Sequence, residues 1–179
     1  MIAADALEIA FDNQPILRQV SVAIPARGLV GVLGPNGSGK TTLLRALSGA
    51  LTPDRGQVTL DDRPLASYTS YELARRLAVV PQETHLAFDY SVLEIVLMGR
   101  YPHLGPFEFE GPGDLASAHA ALAATGTDHL SERAFATLSG GEKQRVIIAS
   151  ALAQLGEGAT RDGAPRVLLL DEPTAALDL

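Results

Sequence analysis

Residues Gly34 to Thr41 read Gly-Pro-Asn-Gly-Ser-Gly-Lys-Thr, and no other stretch restricts the fold as strongly. The pattern G-x-x-x-x-G-K-[ST] is met at every position. An apolar run, Leu29-Val30-Gly31-Val32-Leu33, precedes it, and an amphipathic stretch from Thr42 to Leu47 follows. The run is expected to be a buried strand and the stretch a helix, which is the frame a phosphate-binding loop requires. Glycines let successive N–H groups turn inward around a polyphosphate, and the helix aims the positive end of its dipole at the same place. Gly34, Pro35, Asn36, Gly37, Ser38 and Gly39 are therefore expected to wrap the phosphates, with Thr41 and Thr42 at the helix start. Lys40 supplies a point charge for the β- and γ-phosphates, and the Thr41 hydroxyl is a ligand for Mg²⁺. A glycine-rich turn that merely precedes a helix would not satisfy both flanks. The pattern implies a nucleotide-binding chain.

Composition narrows the rest. The 179 residues are 46% hydrophobic, enough for one domain with a core and too few for two full ones. A net charge of −7 argues against a nucleic-acid partner, because phosphate contacts need a basic face. Cysteine is absent, which excludes disulfides and thiolate metal sites. No apolar stretch approaches the roughly 20 residues that span a bilayer, and the N-terminus lacks signal-peptide character. A soluble, cytoplasmic chain able to dock on a membrane partner is expected.

Along the chain, Leu7 to Phe11, Leu17 to Ile24 and Gln57 to Leu60 read as short strands, the last turned by Asp61-Asp62. They predict a small, mostly antiparallel sheet beside the phosphate loop. Thr69-x-x-Glu72 and Ser91-x-x-Glu94 have capping-box spacing. The first predicts a helix through Arg76 and the second a helix to about Gly99. Leu77-Ala78-Val79-Val80 between them is a buried strand that stops at Pro81-Gln82. Residues 101–113 read as an irregular loop in which His103 is expected to be solvated, and Asp114 is expected to cap an alanine-rich helix ending at Gly126. Residues 83–136 are expected to form a helical subdomain inserted in an α/β core.

Two further stretches carry chemistry. Ser139 and Glu142, in Leu138-Ser139-Gly140-Gly141-Glu142, also have capping-box spacing, so a helix begins there. It reads equally as a well-capped helix start and as an anion site. Val167 to Leu170 is a buried strand ending in Asp171 and Glu172. Acids there would be costly without a partner. Mg²⁺ held by Asp171 supplies one, and Glu172 can then orient and deprotonate a water aimed at a γ-phosphate.

The phosphate loop, Gln82 after a strand, Leu-Ser-Gly-Gly-Glu, Leu-Leu-Leu-Asp-Glu-Pro-Thr and Ala-Leu-Asp, in this order, resemble the nucleotide-binding subunit of an ABC transporter. The resemblance covers essentially the whole chain. It implies a P-loop NTPase core with a small antiparallel β subdomain and an inserted helical subdomain, using ATP and Mg²⁺. It also implies that Phe11 stacks on adenine, that Gln82 reaches Mg²⁺ and the attacking water, and that Ser139, Gly140 and Gly141 bind the γ-phosphate of ATP held by a second copy. Asp178 would lie in the loop crossing that dimer interface. The partners implied are a homodimer of ATPase subunits, two transmembrane permease subunits at the cytoplasmic face of the membrane, and a periplasmic or surface substrate-binding protein.

Val92 to His103 resembles the corresponding segment of iron-chelate importers. Ala153-Gln154-Leu155, the polar insertion Gly156 to Ala164, and Pro165-Arg166 resemble haemin-importer ATPases in particular, with siderophore and cobalamin importers as the alternatives and, from a different class, a non-transport nucleotide-binding module or an inactive truncated fragment. The family also places a switch histidine well beyond the Asp-Glu pair. All four histidines here, His85, His103, His119 and His129, precede Asp171, so an incomplete C-terminal core is expected. Ala175 stands where the family more often has serine.

Overall fold

The fold is described from a computed structural model, over residues 1–82, 84, 88–156 and 165–173. Strand β1 (Ile2–Phe11) and strand β2 (Gln14–Ile24) form an antiparallel hairpin. Their turn residues Asp12 and Asn13 have φ of 49° and 62°, as a two-residue hairpin loop needs to match strand twist. Strand β3 (Arg55–Leu60) lies on the other side of β1, and a second two-residue turn, Asp61-Asp62, leads into the two-residue β4 (Arg63–Pro64). The sheet order is β2-β1-β3-β4, all antiparallel.

β1 is twice the length its sequence suggests. Its buried positions are Ile2 and Ala4, then Leu7 and Ile9. A register shift separates the two pairs, and Ala6 between them has φ of 46°. An extra residue in a strand swaps which face each side chain takes. The bulge thus hides the first half of the strand from a strict alternation pattern. This inner face packs with Leu17, Val58 and Leu60 against Leu43, Ala46 and Leu47 of helix α1 (Lys40–Leu47).

A second sheet pairs β5 (Leu77–Val80) with β6 (Val167–Leu170), parallel and in register from Leu77↔Val167 to Val80↔Leu170. Helix α2 (Ser70–Ala74) precedes β5 and stops two residues short of the expected Arg76. The carbonyl of Arg76 already accepts from the Val167 N–H, so the chain has joined the ladder. Helices α3 (Val92–Met98), α4 (Pro112–Ala124) and α5 (Gly140–Leu155) form a helical layer. Its core holds Val92, Ile95, Val96, Ala118, Leu122, Val146 and Ala149. The C-terminal end of α5 leaves that layer and packs Ala151 and Leu155 onto Ala78 and Val80 of β5. Helix α4 begins earlier than expected: Gly111 is its N-cap, and Asp114 sits in the first turn, its Oδ2 accepting from the Gly111 N–H at 3.1 Å.

The run Leu29 to Leu33 is not the buried strand its composition suggests. It has no regular secondary structure, and Leu29 and Leu33 are 98% and 96% exposed. A groove of about 530 Å³ lies between this run and β6, lined by Ile2, Ile24, Leu44, Leu47, Leu168 and Leu170 among others. An apolar run becomes a buried parallel strand only when neighbours pair with its edges. Among the described residues none pairs with this one.

Candidate nucleotide site

The glycine-rich stretch from Gly34 to Gly39 is a loop that leads directly into α1. Gly37 and Gly39 have φ of 78° and 90°, and Gly39 is the N-cap of α1. A Cβ on Gly39 would also stand 3.0 Å from Leu17 and 3.2 Å from Ile16 of β2, so this position needs glycine for conformation and for space. A Cβ on Gly37 would meet nothing within 4 Å. Its backbone therefore faces open room, as a cradle for a ligand requires.

Beside the loop lies a cavity of about 420 Å³. It is lined by Asn36, Gly37, Gly39, Lys40, Thr41 and Thr42, by Phe11 at the end of β1, by Ile16 of β2, by Gln82 after β5 and by Glu172 after β6. Two sheets and the loop thus converge on one space. Lys40 Nζ donates to the carbonyls of Gly34 and Pro35, each at 3.1 Å, and lies 3.9 Å from Glu172 Oε1. Gln82 Nε2 donates to Glu172 Oε2 at 2.8 Å across 90 residues of sequence. Glu172 has φ of 46°, an uncommon conformation for a residue with a Cβ. Its side chain is 38% exposed and that of Lys40 18%, so their ion pair contributes under about 1 kcal/mol. A phosphate entering the loop would replace the carbonyl partners of Lys40 with a stronger, charged one.

A hard cation fits the donor chemistry here, because Thr41 and Gln82, which both line the cavity, carry side-chain oxygens. Asp171 caps β6 and is buried, its N–H bonded to the Val80 carbonyl at 2.9 Å. It borders the groove beside residues 28–34 rather than the loop cavity.

Ser139, Gly140 and Gly141 stand elsewhere. They open α5, and none of them lines the loop cavity. The Ser139 hydroxyl accepts from the Glu142 N–H, and Glu142 Oε2 accepts from the Ser139 N–H at 2.8 Å and from its hydroxyl at 2.7 Å. These bonds from Ser139, hydroxyl first and then backbone, hold the Glu142 carboxyl below the usual glutamate range. The first-turn residues of this helix, Gly140 to Lys143, are exposed or half-exposed. Asp178, Ala175 and His85 lie outside the described residues.

His103 is not a solvated loop residue. It sits in a 3-10 turn, Tyr101–His103, and its Nε2 lies 2.7 Å from the backbone carbonyl of Gln154. Burial lowers its pKa, and the charges of Arg100 and Arg75 lower it further against the opposing effect of that carbonyl. Ile16 escaped sequence reasoning; only the hairpin register brings it beside Gly39.

The family model described as ABC transporter matches residues 17–175. The chain belongs to the ABC transporter family. Among its relatives, the hemin import ATP-binding protein HmuV of Gloeobacter violaceus is 45% identical over 179 residues, a match covering 100% of this chain and 64% of that protein. A solved structure of a metal-chelate type ABC transporter in an inward-facing conformation is 33% identical with a TM-score of 0.80, covering 99% of this chain and 61% of that one. The dimeric structure of MJ0796, a bacterial ABC transporter cassette, is 26% identical with a TM-score of 0.80, covering 99% and 76%. The chain thus spans less than two thirds of the HmuV relative. Its mixed α/β architecture with an antiparallel β subdomain is that of ABC cassettes, and among the described residues no helix is long and apolar enough to cross a membrane.

Proposed function

We propose that this ABC family chain is the ATP-binding and ATP-hydrolysing part of a haemin importer. The observation that carries the proposal is the meeting of Lys40, Gln82 and Glu172 around the glycine loop, from three separate parts of the chain. Phe11, exposed at the rim, offers a face for adenine, and the loop N–H groups with Lys40 take the phosphates. Glu172 Oε accepts a proton from the attacking water while Gln82 holds the carboxylate in place. Thr41 and Gln82 would hold Mg²⁺ in this cavity, with Asp171, which borders the neighbouring groove, as the third expected ligand, and the ion would neutralise charge on the phosphates.

Ser139, Gly140 and Gly141 stand apart from this cavity and have the features of an anion site. We assign them to the γ-phosphate of ATP in a second copy, so two chains complete two sites, and Asp178 belongs to that interface. The dimeric cassette among the structural relatives supports this arrangement. Exposed Tyr71, Tyr101, Phe107 and Phe109, three of them in or beside a cleft with Leu104, supply an apolar face for the permease subunits at the cytoplasmic side of the membrane. A substrate-binding protein completes the assembly. Haemin is favoured by the HmuV relatives, and the metal-chelate transporter among the structural relatives marks other iron chelates as the neighbouring class.

Glu172→Gln tests the mechanism. The full-length protein carrying it should elute as a dimer with saturating MgATP and as a monomer without, and hydrolysis should fall by roughly a hundredfold or more. A variant that stays monomeric at saturating ATP would refute the half-site arrangement.

A further inference from the structure

Three segments far apart in sequence close a ring of hydrogen bonds where the core meets the helical layer. The first is the end of α2 and the start of β5, the second is Arg100 to His103, and the third is the last turn of α5. Gln154 Nε2 donates to the carbonyls of Ala74 at 2.8 Å and Leu77 at 3.0 Å. Arg75 Nε donates to the Pro102 carbonyl at 2.6 Å. His103 Nε2, facing an atom that can only accept, donates to the Gln154 carbonyl and closes the ring. Arg100 reinforces it, with Nη1 on the Ala153 carbonyl at 2.8 Å and Nε on Asp114 Oδ1 at 2.9 Å.

Capping helix ends would by itself explain single bonds of this kind, since terminal carbonyls lack partners within their own helix. It does not explain the closure. Each segment is the root of a different surface. β5 leads from Leu77 to Val80 and on to Gln82 at the nucleotide cavity. α5 runs from Gln154 back to Gly140, about 21 Å away at 1.5 Å per residue. The turn Tyr101–His103 leads into the exposed aromatic loop.

We propose that Gln154 is a positioning residue: its side-chain amide locks the C-terminal end of α5 to the strand that delivers Gln82, so that Ser139 and Gln82 keep a fixed relation. The fixed relation stands on the geometry alone, and its consequence for turnover rests on the nucleotide-site reading. Gln154 acts through the backbone of Ala74 and Leu77 and touches neither nucleotide nor water.

The full-length protein allows both parts to be read separately. Any cysteine native to the residues outside this chain is first replaced by serine, and these 179 residues contain none. Spin labels at Gln57→Cys, exposed on β3, and Glu132→Cys, exposed in the helical layer, then report the distance between the two bodies without nucleotide. Gln154→Met removes both donors at nearly equal volume and should widen the distance distribution about twofold; Gln154→Lys, whose ammonium can donate to both carbonyls, should keep it narrow. In MgATP hydrolysis Gln154→Met should lower kcat roughly tenfold with KM held within about twofold, and Gln154→Lys should recover most of the rate. Arg75 is exposed, so Arg75→Met should fold and widen the distribution even if Gln154→Met does not fold. Unchanged widths in Gln154→Met or in Arg75→Met, or a Gln154→Lys distribution as wide as that of Gln154→Met, would overturn the lock. Widths that follow the expected order in a protein without ATPase activity would uphold the lock and reject the nucleotide-site reading.

Discussion

Single residues in this chain are constrained for reasons that their neighbours in sequence only partly disclose. Lys40 is legible at once, because its place after Gly39 in the loop pattern marks it for the phosphate role proposed above. Lys40→Ala should abolish nucleotide binding, readable as loss of an ATP-dependent rise in melting temperature, while leaving the melt without nucleotide nearly unchanged. Gly99 is less legible. It follows α3, where a glycine normally marks a left-handed helix end, yet its φ is −60°. Space is the reason for it: an added Cβ would fall 2.3 Å from the Ser150 carbonyl and 3.0 Å from that of Val96. Both obstacles are backbone, so α3 and α5 would have to separate. Gly99→Ala should destabilise the fold by about 1–3 kcal/mol in urea unfolding.

At the scale of elements, three helices start with the same device. Thr69 with Glu72, Ser91 with Glu94 and Ser139 with Glu142 each form a reciprocal capping box. In the first two the N-cap N–H and then its hydroxyl pull the glutamate pKa down, and at Glu142 the order is reversed. A carboxyl with a folded pKa below its unfolded value adds stability that is full above the unfolded value, about 4.3, and disappears as pH falls through the folded one. The stability difference between the protein and Glu142→Ala should therefore be constant from neutral pH down to about 5 and vanish in more acid solution. Ser139→Ala removes the cap itself and should cost about 1 kcal/mol at neutral pH.

His103 gives the opposite kind of dependence. Its folded pKa lies below the ordinary value of about 6.5, so acid favours the unfolded chain, which takes up the proton first. Stability should decline as pH falls below about 6.5, towards the folded pKa, and decline less in His103→Gln. Burial is the main cause of the lowering; Arg100 and Arg75 add to it, and the Gln154 carbonyl and Asp114 oppose it. Urea unfolding of both proteins across that range checks it.

At the scale of the whole molecule, the proposed function rests on two half-sites, Lys40, Gln82 and Glu172 at one cavity and Ser139 to Gly141 outside it at the start of α5. If two chains pair head to tail, a full-length Lys40→Ala protein and a Ser139→Phe protein should each be inactive. Their equal mixture should recover about a quarter of normal hydrolysis, because half the dimers would hold one intact site out of two. A mixture as inactive as its parts would count against the shared-site arrangement.

The sequence alone determined the phosphate loop, the three capping boxes, both strands of the parallel pair and the acids at the end of β6. These rest on local spacing, and local spacing survives any packing. Tertiary structure decided what depends on a second segment. Leu29 to Leu33 has the composition of a buried strand, but burial and pairing belong to whatever lies along its edges. The first half of β1 was hidden by a bulge that only the ladder with β2 and β3 defines. The bond from Gln82 to Glu172 and the ring through Gln154 join residues dozens of positions apart. No periodicity encodes them, because hydrogen bonds between distant backbone and side-chain groups leave no repeat in the chain.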